Sequence, residues 1–251
     1  MIMASKKDQK SDDKQPSNPI FYQNPVFLDK SIHGEMSVDP KLNFGFAKEQ
    51  IALPVNAIEF TFLMKHYPII FIGEEKTTPA VFLGLQPNQN LFVNKKGEWE
   101  EKVYVPAYAR RYPFIMSEDK ENDRLILCVD DNKDVLVKNN KKPLFDGEEM
   151  SETTKEALEF CKSYHQASLQ TNSFCEKLKE LDLLSPFNHA LLRNLGFNQL
   201  YTIDEKKMNE LSDEKFLELK KTGTLALVYA QLFSMNNWQT LFDETQKDAK
   251  K

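Results

Sequence analysis

Asn90 to Phe114 reads NLFVNKKGEWEEKVYVPAYARRYPF, and it decides how the rest of the chain must be arranged. It holds one Trp, three Tyr, two Phe, two prolines and the pair Arg110-Arg111. Gly97, Pro106 and Pro113 break it too often for a helix. Rings in an irregular segment are buried only against a surface that other parts of the chain build, so the segment demands a defined tertiary setting. Asn94-Lys95-Lys96-Gly97 is a turn with glycine available for positive φ, and it joins Phe92 to Trp99 as a hairpin.

Toward the N-terminus, Pro68 to Gly73 and Pro79 to Leu85 are β-branched and aromatic runs bounded by turn residues. They read as neighbouring strands of one antiparallel sheet, continued by Leu91 to Asn94. Asn56 caps Ala57 to His66, read as a helix that buries Ile58 and Phe62 and is ended by Pro68. Leu42 to Lys48 alternates, with Leu42, Phe44 and Phe46 on one side, the pattern of a half-buried strand.

Toward the C-terminus, Arg124 to Val129 is the last convincing strand of this half. Ser151, with Glu152 and Thr154, then opens a run without proline or glycine until Pro186. Phe160, Tyr164, Ala167, Thr171, Phe174, Leu178 and Leu181 fall along it at three- and four-residue intervals, which predicts one long amphipathic helix. Phe187 to Leu192 and Phe197 to Ile203 read as short strands around Gly196. Asp204 and Ser212 each cap a short helix, and Leu225 to Phe242 forms a final helix carrying Tyr229, Leu232, Phe233 and Trp238. The sum is an α+β fold, with a mixed, mainly antiparallel sheet in the N-terminal half and a long helix with shorter helices in the C-terminal half. Residues 1–19 are polar and charged and read as a disordered tail, 20–245 as the domain, and 246–251 as a frayed end.

The 251 residues, 41% of them hydrophobic, suffice for a sizeable core. A net charge of −5 and a pI near 5.5 argue against nucleic acid as a partner, because phosphate binding needs concentrated basic surface. Cys128, Cys161 and Cys175 show no CxxC spacing and leave one thiol over in any pairing, which fits a reducing compartment and a cytoplasmic location. Cys161 and Cys175 stand two heptads apart, about 20 Å along a helix, too far to bond within one chain. The N-terminus lacks the apolar stretch of a standard signal peptide, and no segment is long enough to span a bilayer. A place at the cell surface would then require signal-less export.

The opening stretch resembles the SapC family of bacterial proteins, in the NLF tripeptide, Gly97-Glu98-Trp99, Tyr104-Val105-Pro106 and Arg110-Arg111-Tyr112-Pro113-Phe114. Upstream, Leu53-Pro54, Glu59 and Tyr67-Pro68-Ile69-Ile70-Phe71 follow the same family pattern. So do Leu144-Phe145-Asp146-Gly147, Thr171, Phe174, Leu178, Leu183, Leu184, Pro186 and Asp204-Glu205-Lys206, which extends the likeness over 25–242. The lysine- and asparagine-rich loop at 138–142 and the N-terminal extension depart from it. The resemblance implies a soluble accessory or binding component of bacterial surface-layer biology, with surface-layer or outer-membrane receptor-system proteins as partners and no catalytic mechanism. The resemblance also implies a gene context like that found beside outer-membrane receptors and flavin halogenases, which would favour an enzyme or enzyme-accessory role as the alternative.

Arg110 and Arg111 are the leading ligand-binding candidates. Guanidinium groups bordered by Tyr108, Tyr112, Trp99 and Tyr104 can grip a carboxylate or phosphate while stacking on rings, which would make the ligand an acidic small molecule. The structural alternative makes the aromatics core and pairs one arginine with Glu59, a carboxylate in the apolar context A-I-E-F-T-F-L. His33, His66, His165 and His189 show no metal-site spacing, and no P-loop, GxGxxG or GxSxG occurs. No catalytic residue, metal ligand or cofactor is therefore assigned.

Overall fold

The computed structural model describes residues 18–119, 124–139 and 141–248. Strands in chain order are β1 (Pro25–Phe27), β2 (Ser37–Val38), β3 (Ala52–Pro54), β4 (Ile69–Ile72), β5 (Thr78–Phe82), β6 (Phe114–Asp119), β7 (Arg124–Asp130), β8 (Leu136–Val137), β9 (Phe145–Asp146), β10 (Glu149–Met150), β11 (Leu184–Pro186) and β12 (Leu200–Ile203). Helices are α1 (Lys30–His33), α2 (Phe60–Leu63), α3 (Ala107–Arg110), α4 (Glu152–Glu180), α5 (Ala190–Asn194), α6 (Glu205–Asn209), α7 (Asp213–Lys221), α8 (Thr224–Ser234) and α9 (Asn237–Asp248). The fold is mixed α+β with antiparallel pairing throughout these ladders.

The main sheet has five strands in the order β11-β12-β4-β5-β3, so the C-terminal half completes a sheet begun in the N-terminal half. Alternate residues face opposite sides. Ile69, Phe71, Val81 and Leu53 enter the larger core with Phe60, Leu63 and Phe174, while Ile70 and Phe82 enter a second core with Leu192 and Leu241. A three-stranded sheet, β1-β7-β6, packs with Cys161 of α4 in a third. The long helix forms as its periodicity predicts, with Ser151 Oγ accepting from the Thr154 N–H as N-cap. Its Cys161 and Cys175, like Cys128, are free and buried. Burial pushes the thiols up to about 11 at Cys128 and Cys161 and about 12 at Cys175.

Several elements differ from the sequence reading. Leu42 to Lys48 is not a strand, since Phe44–Ala47 is a 3₁₀ turn begun by Asn43, whose side chain accepts from the Gly45 N–H. Ala57–Glu59 is likewise 3₁₀ and leads into α2, and this segment buries Ala57, Glu59, Phe60 and Leu63 while Ile58 and Phe62 are exposed. Apolar residues surround this short segment, so its periodicity selects no face.

Leu91 to Asn94 contributes an N–H from Leu91 to Leu83 and a bridge from Val93 to Trp99 without forming a strand. Phe187 to Leu192, expected as a strand, instead leads into helix α5 at Ala190–Asn194, made of good helix formers and stopped at Gly196 with φ +90°. The final helix is two, broken at Met235-Asn236, where Ser234 accepts from the Ile69 N–H and Asn237 donates to the Met64 and Tyr67 carbonyls. Gln246 to Asp248 are helical, whereas 1–17 and 249–251 of the expected tails lie outside the described residues.

Candidate functional site

The hairpin forms as predicted, with Gly97 at φ +80° and Asn94 accepting from the Gly97 N–H. It delivers Trp99 to the buried Tyr67, and the indole N–H donates to the Tyr67 hydroxyl at 3.0 Å. Tyr67 in turn donates to the Tyr104 carbonyl at 2.9 Å, which seats the next stretch of the segment over the main core. Pro106 then caps α3, Tyr112-Pro113 is cis, and β6 begins.

Glu59 sits under α3 and is 3% exposed. Its Oε2 accepts from its own turn at the Asn56 N–H, 3.0 Å away. Its Oε1 accepts from the Ala107 N–H at 2.7 Å, a free donor of the first turn of α3, and from the Tyr104 hydroxyl at 3.2 Å. Burial raises the Glu59 pKa, against the opposing hydrogen bonds from Asn56, Ala107 and Tyr104 and the charge of Arg110.

Arg110 reaches Glu59 only through Tyr104, because its Nη2 donates to the Tyr104 hydroxyl at 2.7 Å and its Nε to the Val105 carbonyl at 3.0 Å. The exposed guanidinium lies 5.2 Å above the Tyr104 ring and 5.1 Å above Phe160 of α4. The expected acid–arginine link is thus a relay, Arg110 to Tyr104 to Glu59.

Arg111 is the inward-facing member of the pair. Its guanidinium lies 4.1 Å from the Tyr108 ring and 4.4 Å from the Tyr164 ring, with Tyr22 at 5.9 Å. Burial pushes the phenol pKa values of Tyr22, Tyr108 and Tyr164 upward, so these rings are neutral faces for the cation. The Nε of Arg111 is buried without a hydrogen-bond partner, and no carboxylate pairs with it among the described residues.

Tyr112 belongs to a second polar node that the sequence reading missed. Its hydroxyl donates to Oδ2 of the fully buried Asp130 at 2.7 Å, as does the Asn132 amide at 2.8 Å. Asp130 Oδ1 accepts the N–H groups of Gln23 and Asn24, at 2.9 and 2.7 Å. Beside it, Phe21 packs edge-on to Phe46 with centroids 4.8 Å apart, and the Tyr22 hydroxyl donates to the Phe114 carbonyl. The signal was present in the sequence: an aspartate placed directly after the apolar run of β7 ends inside the protein.

All seven predicted site residues therefore occupy one aromatic assembly. Trp99 stands at its Tyr67 end, Tyr104 and Glu59 at its centre with Arg110 on the Tyr104 hydroxyl, Tyr108 and Arg111 against α4, and Tyr112 at the Asp130 node. Most polar atoms there are taken by other groups of the chain. Among the described residues, no group of three or more His, Cys, Asp or Glu could hold a metal ion, and no helix is long and apolar enough to cross a membrane.

These features describe an α+β protein whose aromatic segment is folded around buried polar nodes. The SapC family model matches residues 28–241, and the chain belongs to the SapC family. No curated protein and no solved structure matches it.

Proposed function

We propose that this SapC-family chain is a binding or accessory component of bacterial surface-layer biology, located in the cytoplasm and without a standard active site of its own. The observation that carries this reading is the state of Glu59, the one acid among the candidate residues, which is 3% exposed with both oxygens taken by three donors of the same chain. A general base needs a free lone pair within reach of a substrate proton. The partners are surface-layer or outer-membrane receptor-system proteins. Crosslinking in the native host followed by affinity purification tests this, with recovery of such proteins expected. Recovery of a bare monomer, together with an unaltered surface layer in a deletion strain, would overturn it.

A second reading, an enzyme or enzyme-accessory protein that binds an acidic small molecule through Arg110 or Arg111, rests on two observations. Arg110 is exposed, and Arg111 holds an unpartnered Nε in a buried cage of tyrosines. A native mass spectrum of protein purified gently from its host, compared with the denatured mass, separates the two readings. A discrete mass excess lost in Arg110→Ala or Arg111→Ala favours the ligand, and its absence favours the accessory role.

A further inference from the structure

The main sheet carries a hollow that none of the seven candidate site residues lines, although Ile20 on its wall accepts from the Tyr108 hydroxyl. A groove of about 490 Å³ opens over the face that bears Ala52, Ala80 and Ile72, with Phe197 as a wall. The register places these residues on one side, since Ala52 pairs with Phe82, Ile70 with Ala80 and Ile72 with Thr78. Further along the same face Phe82 is covered by Trp238, with ring centroids 5.5 Å apart, and Ile70 packs with Leu192 and Leu241. Two alanines in the floor leave the uncovered end low, which is why a groove exists there.

One cation, Lys76, stands among the lining residues. It lies in the turn between β4 and β5, and that turn is pinned. Lys179 donates to the carbonyls of Glu74 and Glu75 at 2.6 and 2.7 Å, and the Thr77 hydroxyl donates to the Gly73 carbonyl at 2.9 Å. The Lys76 side chain is exposed and forms no ion pair among the described residues, standing after Glu74, whose carboxylate accepts from Gln199, and Glu75. An apolar cleft of this size with few polar groups at one end is the usual form of a small-molecule site.

The free edge of β3 argues against an added peptide strand. Ile51 accepts from the Leu83 N–H and Val55 donates to the Pro79 carbonyl, so Ile51, Leu53 and Val55 turn toward β5 while Ala52 and Pro54 turn outward. Proline has no N–H to offer, which leaves Ala52 as the one outward donor of this strand.

We propose that the groove binds an amphipathic organic anion, an extended apolar tail on the alanine floor with a terminal carboxylate at Lys76. Neither arginine lines this site. Decanoate and decanol, titrated calorimetrically below their aggregation concentrations, test it. Saturable decanoate binding is expected, tighter than decanol. Lys76→Gln should weaken decanoate about tenfold, the loss of one charge-assisted contact, and leave decanol unchanged. Ala52→Leu, with its fold checked by thermal melting, should abolish binding of both. Arg111→Met should bind decanoate like the wild type, which separates this site from an acidic ligand at the arginines. Absence of saturable binding, or decanoate binding unaffected by Lys76→Gln, overturns the proposal. So does a wild-type dimer that Ala52→Glu dissociates, which would assign the groove to a second copy of the chain.

Discussion

Glu59 and Asp130 bury carboxyl groups in one way, and Arg111 buries a guanidinium in another. Both carboxylates are surrounded by donors from neutral groups, three N–H or O–H donors at Glu59 and four at Asp130. Arg111 lies between ring faces, with Tyr108 and Tyr164 at 4.1 and 4.4 Å. Among the described residues, none of the three has an opposite charge in direct contact. Directional donors can be supplied by backbone only where the backbone is fixed, so the carboxylates mark the rigid joints of the aromatic segment. Ring faces tolerate sliding, so the Arg111 cage holds its contents with less geometric demand.

This contrast predicts a ranking of stabilities by chemical denaturation. Asp130→Ala strands two backbone N–H groups and a tyrosine hydroxyl, and should cost about 4 kcal/mol. Glu59→Ala strands the Asn56 and Ala107 N–H groups and should cost about 3 kcal/mol, while an unchanged melting temperature would break the assignment of Glu59 as a joint. Arg111→Ala should cost about 2 kcal/mol, whereas Arg111→Met, which fills the cage with an apolar chain of similar length, should be nearly neutral. A large loss in Arg111→Met would show that the charge itself is required and erase the distinction between joint and cage. Arg110→Ala, at an exposed position, should cost less than about 1 kcal/mol.

The Glu59 joint also has a pH signature. Its folded pKa is raised above the ordinary value of about 4.3, so the folded state binds more protons than the unfolded one through this window. Wild-type stability relative to Glu59→Ala should therefore be largest below the ordinary glutamate range and decline as pH rises through the folded pKa. Denaturation of both proteins across an acid-to-neutral series measures that difference. A gap that instead widens with rising pH would mean that the three donors outweigh burial.

The sequence was most legible where one local rule governed the outcome. Ser151 and the spacing from Phe160 to Leu181 specify α4, and Asn94 with Gly97 specifies the hairpin, because each depends on neighbours in the chain. Legibility failed where a tertiary partner decided between local options. Ile58 and Phe62 are as apolar as Phe60 and Leu63, and the face was settled by Glu59 finding its donors 45 and more residues away, at Tyr104 and Ala107. Asn43 turned an alternating strand pattern into a 3₁₀ turn and also reaches the Lys96 carbonyl at 2.9 Å, a contact no local window contains. At the candidate site, the residue types and their gathering were readable, and the relay through Tyr104 and the node at Asp130 were not. Both depend on which hydroxyl meets which carboxylate in three dimensions.

The strand order of the main sheet carries a consequence for synthesis. Leu200 of β12 pairs with Ile72 of β4, and the ribosome adds about 130 residues between them. At roughly 5–20 residues per second, the apolar edge of β4 waits on the order of ten seconds for its partner. An unpaired strand edge invites pairing with other chains. Completion of the main sheet is therefore a late event, reached only after α4 and β11 have been made.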